Sequence, residues 1–249
     1  MKNPIILIPS RLAATRLPNK PLADIGGLPM VVQVLRRAEE AGIAPVAVAC
    51  ADRAIAEAVE KAGGKAIMTD PALPSGSDRI FAALQTFDSE GKYDSVINLQ
   101  GDMPTLDPGV VRQSFELLRD SGADIATLAA PFENIEDAQN PNAVKAVLNI
   151  APGETSGRAL YFSRNIVPWG EGQLFHHIGL YAYRRDSLAR FVAAHPSPLE
   201  KRERLEQLRA LALGMHIACG ITNAIPFGVD TYDDLEKARI LLAQKQSPA

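Results

Sequence analysis

The stretch VAVACADRAIAEAVEKAGGKAIMT, Val46 to Thr69, sets an apolar run, a helical pattern and a second apolar run one after another. Its helix spans Arg53–Ala62 and stops at Gly63, because the left-handed end of a helix suits glycine. Two strands joined through a helix pair in parallel with a right-handed crossover. The same alternation continues on both sides. It gives a strand at Ile5–Ile8, a helix at Pro29–Ala41 closed by Gly42, a helix at Asp78–Phe87 and a strand at Val96–Gln100. This βαβαβαβ order predicts a doubly wound sheet, whose ligands bind outside the carboxyl ends of the strands. The loops after Ile8, Cys50, Thr69 and Gln100 should therefore line a site.

Beyond Leu106 the alternation loosens. A helix at Pro108–Arg119 precedes strands at Ile125–Ala130, Val144–Leu148 and Ile178–Tyr183, then helices at Ser187–Ala194 and Arg202–Leu213. A short strand at His216–Cys219 and a helix opening at Thr231 follow, the latter with Asp234 in a Thr-x-x-acid capping pattern. The pattern predicts a mixed, mostly parallel sheet flanked by helices, with one antiparallel excursion. At 249 residues one core suffices, so residues 1–249 are expected to form one domain.

A formal charge of -3, with 22% charged and 47% hydrophobic residues, gives no global field for nucleic acid or membrane. The apolar run Ile5–Ile8 is too short for a signal-peptide core or a membrane span, so a cytoplasmic protein is expected. Two cysteines, Cys50 and Cys219, far apart in the chain, read as small core residues rather than a disulfide. His195 and His216 read as surface or strand residues. Glu200–Arg204 reads as a solvated helical face. His176 and His177 are adjacent and so face opposite sides of a strand, unsuited to sharing one zinc.

LIPSRLAATRLPNKPL, Leu7 to Leu22, carries the first chemical signal. Arg11, Arg16 and Lys20 fall within ten residues after a parallel strand, where they can converge on a polyphosphate or simply form a solvated basic loop. It fits neither a GxxxxGK[ST] loop nor a GxGxxG turn. INLQGDMP, Ile97 to Pro104, ends a strand in Gln-Gly-Asp; Asp102 can hold a hard cation or make a turn. FGVDT offers Asp230, a second such acid or a helix cap. PSGSDR, Pro74 to Arg79, feeds a helix N-terminus able to receive a base or phosphate.

Together these strings resemble the 3-deoxy-manno-octulosonate (Kdo) cytidylyltransferases, also called CMP-Kdo synthetases. NPNAVK (Asn140–Lys145), ALYFSR (Ala159–Arg164), HIGLYAYR (His177–Arg184), PSPLE (Pro196–Glu200) and LEQLR (Leu205–Arg209) resemble the later blocks of that family in the same order, from Ile5 to Arg239. The resemblance implies a Rossmann-like nucleotidyltransferase fold. It also implies a homodimer formed by a small antiparallel lobe at about residues 124–200.

Carried over by position, Arg11, Arg16 and Lys20 would hold CTP phosphates, with Ser75 and Arg79 near the nucleotide. Gln100 would bridge nucleotide and sugar, and Asp102 and Asp230 would bind Mg²⁺. Lys20, Arg16, Asp102 and Asp230 form the catalytic set. Arg164, His177, Tyr181, Glu206 and Gln207 would contact the acidic eight-carbon sugar, Arg164 opposite its carboxylate. Two aspartates sharing one metal should repel each other without it. Ala14 stands where the family usually has Ser, Asn19 where Gly is usual, and Met103 where Glu is frequent.

The implied reaction is CTP plus Kdo giving CMP-Kdo and diphosphate, for lipopolysaccharide biosynthesis. Positioning and charge neutralisation supply most of such a rate, which suits a chain with cations and paired aspartates but no nucleophile motif. The same chemistry on 8-amino-Kdo or a sialic acid is the nearest alternative. A glycosyltransferase would more often show Asp-x-Asp where Gly101-Asp102-Met103 stands. A silent nucleotide binder would have lost some of these charges.

Overall fold

The computed structural model describes residues 1–13 and 17–246. The first half runs β1 (Pro4–Ser10), a 3-10 turn (Lys20–Leu22), the short strands β2 (Asp24–Ile25) and β3 (Leu28–Pro29), and α1 (Met30–Glu40). It continues with β4 (Val46–Cys50), α2 (Arg53–Lys61), β5 (Ala66–Met68), α3 (Gly76–Phe87), β6 (Ser95–Asn98) and α4 (Pro108–Ser121). Then follow β7 (Ile125–Pro131), α5 (Ile135–Gln139), β8 (Lys145–Asn149), β9 (Ser156–Ser163) and β10 (Phe175–Arg184). The last elements are α6 (Arg185–Ala193), α7 (Pro198–Glu203), α8 (Gln207–Ala212), β11 (Ile217–Ile221) and α9 (Tyr232–Gln246). Two compact units emerge: Lys2–Val111 with Pro226–Ala249, and Arg112–Ile225 with Met1.

In the unit built on Lys2–Val111 the strands lie in the order β5-β4-β1-β6, all parallel, as the alternation predicts. Ile5 to Ile8 have no exposed surface, the mark of a strand covered on both faces. Burial pushes the Cys50 thiol up to about 12, in keeping with an inert core residue. A separate small core joins the chain's two distant ends. Leu17, Ile25 and Met30 pack with Val229, Leu235, Ala238 and Leu242 of α9 and its approach. Arg239 adds Nε and Nη2 bonds to the Asp24 carbonyl at 3.0 and 2.8 Å.

In the other unit β7 pairs in parallel with β11, while β10–β7, β10–β8, β11–β9 and β8–β9 are antiparallel. The single antiparallel excursion read from sequence thus understates this unit. β9 escaped the sequence reading because it is only partly covered, with Arg158 and Leu160 exposed, and shows no clean alternation. The helix expected over Arg202–Leu213 is two helices, broken at Arg204, which adopts φ +55°. Cys219 is buried and its thiol is raised to about 12 by that burial. His195 is exposed, as expected.

Asp124 ties α6, β10 and β11 together at the edge of this unit. Its Oδ2 accepts from the His216 N–H at 2.9 Å and its Oδ1 from Ser187 Oγ at 2.9 Å, while the Asp124 carbonyl accepts from the Arg184 N–H at 3.1 Å. Burial opposes its ionisation, but the bonds from His216 and Ser187 and the Arg190 charge hold the carboxyl below its usual range. Asp124→Asn should therefore cost roughly 1–3 kcal/mol at neutral pH. A depressed folded-state pKa contributes stability above the unfolded value and loses it as pH falls through the folded one. Urea midpoints of wild type and variant should differ at pH 7 and converge below about pH 4. A gap independent of pH would exclude the charge as its source.

Candidate active site

The carboxyl ends of β1 and β6 and the start of α3 surround a cavity of about 460 Å³, lined by Ser10, Arg11, Lys20, Ser75, Arg79, Gln100, Asp102 and Asp230 among others. That volume suits a small-molecule site. Three of the four loops expected to line a site contribute. The fourth, after β4, holds the start of the basic loop: Asp52 Oδ2 accepts from the Leu12 N–H at 2.8 Å.

Each wall residue has a local cause. Asn19 adopts φ +56°, a left-handed conformation that asparagine tolerates, and so serves where glycine is usual. The turn it makes starts the short 3-10 segment at Lys20. Gly101 lets β6 close on β1, because a Cβ there would lie 3.1 Å from the Pro9 carbonyl oxygen. Ser75 caps α3, its Oγ accepting from the Asp78 N–H at 3.2 Å, and so turns a helix N-terminus toward the cavity. Met103 is buried, which suits an apolar side chain where Glu is frequent. Ala14 and Arg16 lie outside the described residues.

At the floor, Lys20 Nζ donates to Asp102 Oδ2 at 3.0 Å, Asp230 Oδ1 at 3.1 Å and the Val229 carbonyl at 3.0 Å. Burial alone would lower the lysine pKa, but the two carboxylates overcome it and hold it above the usual value. The like-charge repulsion expected of the paired aspartates is therefore offset by an internal ammonium. The Val229 N–H also donates to the Asp102 carbonyl at 2.9 Å, so backbone and side chains fix the same junction.

The walls are electrically unfinished. Arg79 Nη1 donates to Thr69 Oγ1 at 2.7 Å and to the Asp70 carbonyl at 3.1 Å, while its buried Nη2 has no partner. Burial, and then the Arg11 charge, lower its pKa. Ser10 Oγ is likewise buried and unpartnered. Buried donors without partners are costly, and here they border a cavity, so they suit an anionic, hydrogen-bonding ligand. Gln100 Nε2 leans on Asn98 Oδ1 at 3.3 Å.

Asp230 and Thr231 compete in sequence for the cap of α9, and the structure separates them. Thr231 Oγ1 accepts from the Asp234 N–H at 3.2 Å, and Asp234 Oδ2 accepts from the N–H groups of Asp230 and Thr231 at 3.1 and 3.0 Å. With capping done there, the Asp230 carboxylate faces Lys20. Two converging carboxylates, with a cation already drawn between them, are a donor set suited to a hard divalent ion that takes one or two carboxylates plus ligand oxygens. Among the described residues no cluster of three or more His, Cys, Asp or Glu could hold a metal by itself.

The remaining expected residues form a group within the other unit. His177 is buried; its ring meets Phe162 edge-on at 4.8 Å and lies 5.4 Å from Tyr181. Burial lowers its pKa to about 3, so the ring is neutral. Its Nε2 is 3.0 Å from Thr127 Oγ1, whose hydroxyl reaches the Ile178 and Leu180 carbonyls at 3.1 and 2.8 Å across a break in the β10 register. Carbonyls only accept, so the Thr127 proton goes to them and His177 Nε2 carries hydrogen toward Thr127. Burial raises the Tyr181 phenol well above its usual value, with Tyr183 and Glu206 adding to the effect. Glu206 precedes α8 and Gln207 begins it.

Arg164, the cation expected opposite the sugar carboxylate, is engaged with the main chain. Its Nε, Nη1 and Nη2 donate to the carbonyls of Glu203, Pro141 and Arg204 at 2.8, 3.0 and 3.3 Å. One expectation needs correcting, that Glu200–Arg204 forms a solvated face. Glu200 is not solvated: it is buried, and both its oxygens face Arg209. Glu203 is half-buried and accepts from Ser163 Oγ and the Arg164 N–H at 2.9 and 3.0 Å. Sequence reading missed Thr127, Glu203 and Arg209, although the last lies in the LEQLR string.

A family model described as Cytidylyltransferase matches residues 5–217. A 3-deoxy-manno-octulosonate cytidylyltransferase of Rhodospirillum centenum is 62% identical over 241 residues, covering 97% of this chain and 94% of its own. One of the same name from Parvibaculum lavamentivorans is 57% identical, over 98% and 94% of the two chains. A solved structure of CMP:2-keto-3-deoxy-manno-octonic acid synthetase complexed with CTP superposes with a TM-score of 0.89 at 39% identity, covering 98% of this chain and 99% of that one. A cytidylyltransferase from Leptospira borgpetersenii, at 16% identity and a TM-score of 0.65, shares the fold.

The division of labour at α9 has a measurable consequence. Thr231→Ala should cost about 1 kcal/mol through loss of the cap. Asp230→Ala, at a half-exposed ion pair, should cost less than about 0.5 kcal/mol. Thermal melts of the two variants test this; an Asp230→Ala loss as large as that of Thr231→Ala would make Asp230 the cap.

Proposed function

The chain belongs to the 3-deoxy-manno-octulosonate cytidylyltransferases, and we propose that it joins the CMP group of CTP to 3-deoxy-D-manno-octulosonate, releasing diphosphate. The observation that carries this reading is the cavity where Arg11, Lys20 and Arg79 face Asp102 and Asp230, in a chain so close to relatives of that name. The anomeric hydroxyl of the sugar attacks the α-phosphorus of CTP, and diphosphate leaves in line.

In this reading Arg11, Lys20 and Arg79 bind the triphosphate, with Arg16 as a further cation of the same loop. The Arg79 guanidinium, with its partnerless Nη2, has a donor to spare for an anion. Ser75 and the N-terminus of α3 receive polar groups of the nucleotide, and Gln100 orients the reacting groups. Asp102 and Asp230 would hold Mg²⁺, which when bound would neutralise charge on the triphosphate. Once triphosphate enters, Lys20 has phosphate oxygens as well as carboxylates to serve, and a cation there acts on charge developing during transfer.

The acidic sugar is assigned to Arg164, His177, Tyr181, Glu206 and Gln207. His177 is kept neutral by burial, so it acts as a hydrogen-bonding ring rather than as a charge. Its product supplies lipopolysaccharide assembly, and the enzyme works in the cytoplasm; among the described residues no helix is long and apolar enough to cross a membrane. A homodimer is proposed through the second unit, where Leu160, Ile166 and the fully exposed Trp169 present apolar surface.

With Mg²⁺ and Kdo, CTP should release diphosphate at least about tenfold faster than ATP or GTP. Asp102→Asn and Asp230→Asn should each lower kcat/KM by roughly two orders of magnitude, about 2.7 kcal/mol of transition-state stabilisation. A diphosphate-release assay across nucleotides, with 8-amino-Kdo and N-acetylneuraminate as rival sugars, tests substrate and chemistry together. Equal turnover of ATP, or a preference for either rival sugar, would overturn the assignment.

A further inference from the structure

The corner between α7 and α8 carries more buried charge than its exposure in sequence suggests. Arg209 Nε and Nη2 grip the two Glu200 oxygens at 2.9 and 2.6 Å, both side chains being buried. The guanidinium also lies over the Phe191 ring, 4.7 Å from its centroid. Glu200 is fixed in turn by a reciprocal cap with Ser197, at 3.0 Å from the Ser197 N–H to Oε2 and 3.1 Å from the Glu200 N–H to Ser197 Oγ. Beyond Glu200, Arg209 Nη2 comes within 3.7 Å of Glu206 Oε1. One guanidinium therefore links a buried carboxylate to the carboxylate that opens α8.

Stability alone does not explain this arrangement. Buried ion pairs are often matched or bettered by apolar pairs of similar volume, because both charges lose water. What a bidentate pair supplies is direction, since the planar fork fixes both partners. The corner needs direction: Arg204 breaks the chain at φ +55°, and the six-residue α8 is too short to hold its own register.

We propose that Arg209, oriented by Glu200, is a positioning residue for Glu206 and Gln207, and thereby sets the affinity for the acidic sugar. The proposal rests on the reading of Glu206 and Gln207 as sugar contacts. Arg209 acts through Glu206 and does not touch substrate.

The experiment uses the full chain and measures apparent KM for Kdo and for CTP, with melting temperatures, in three variants. Arg209→Lys keeps the charge but loses the fork; it should raise the Kdo KM about tenfold and leave the CTP KM within about twofold. The double variant Glu200→Gln, Arg209→Met removes both charges but keeps an acceptor for the Ser197 N–H; its melting temperature should stay near that of wild type while the Kdo KM remains raised about tenfold. A purely structural pair would give the reverse, with any change in KM tracking stability and affecting both substrates alike. Glu206→Gln serves as the reference. If it raises the Kdo KM while Arg209→Lys and the double variant do not, the positioning role falls and the sugar assignment stands. If Glu206→Gln leaves the Kdo KM unchanged, the sugar assignment of α8 falls and takes the positioning role with it.

Discussion

One ammonium group holds together three distant parts of the chain. Lys20 Nζ meets Asp102, Asp230 and the Val229 carbonyl within 3.0–3.1 Å. The supporting features serve that meeting. Asn19 turns left-handed to aim Lys20, Gly101 lets the loop after β6 come close, and Thr231 with Asp234 caps α9 while the Asp230 carboxylate faces Lys20. The small core of Leu17, Ile25 and Met30 against Val229, Leu235 and Leu242 supplies the apolar burial that keeps these segments together. A cluster of one cation and two anions keeps one net negative charge, which the partial exposure of both carboxylates makes tolerable and which leaves it responsive to an incoming cation.

Order in the second unit comes from polar groups that are buried and satisfied. Thr127 spans the irregular stretch of β10 and presents its oxygen to His177, while the Asp124 carboxylate serves a backbone N–H, a hydroxyl and the Arg190 guanidinium. Glu200 and Arg209 do the same for the α7–α8 corner. Each such network restricts the geometry of neighbouring side chains because a half-satisfied member would be costly. A reaction that depends on alignment rather than on a protein nucleophile has use for that restriction.

Much of the first unit was legible in sequence because buried parallel strands read as unbroken apolar runs and helices carry glycine stops, as at Gly42 and Gly63. The cavity residues were legible for a related reason: strand ends fix where Arg11, Gln100 and Asp102 emerge. Antiparallel strands with one half-covered face gave weaker signals, so β9 was missed. The break at Arg204 was hidden because nothing but the backbone angle marks it, and arginine is an unusual residue for φ > 0. Glu200 was misread as solvated since charge patterns on a helix do not reveal which carboxylate finds a buried guanidinium. The bridging role of Lys20 also lay beyond the sequence, which offers the lysine to phosphate and the aspartates to metal without indicating that they meet.

The most direct measurement is Mn²⁺ binding to the protein–CTP complex, read by electron paramagnetic resonance, for wild type and the double variant Asp102→Asn, Asp230→Asn. If these carboxylates hold the divalent ion beside the nucleotide, the double variant should bind Mn²⁺ at least about tenfold more weakly in the presence of CTP. Unchanged Mn²⁺ affinity with both carboxylates neutralised would contradict that assignment and leave Lys20, Asp102 and Asp230 as a structural junction only.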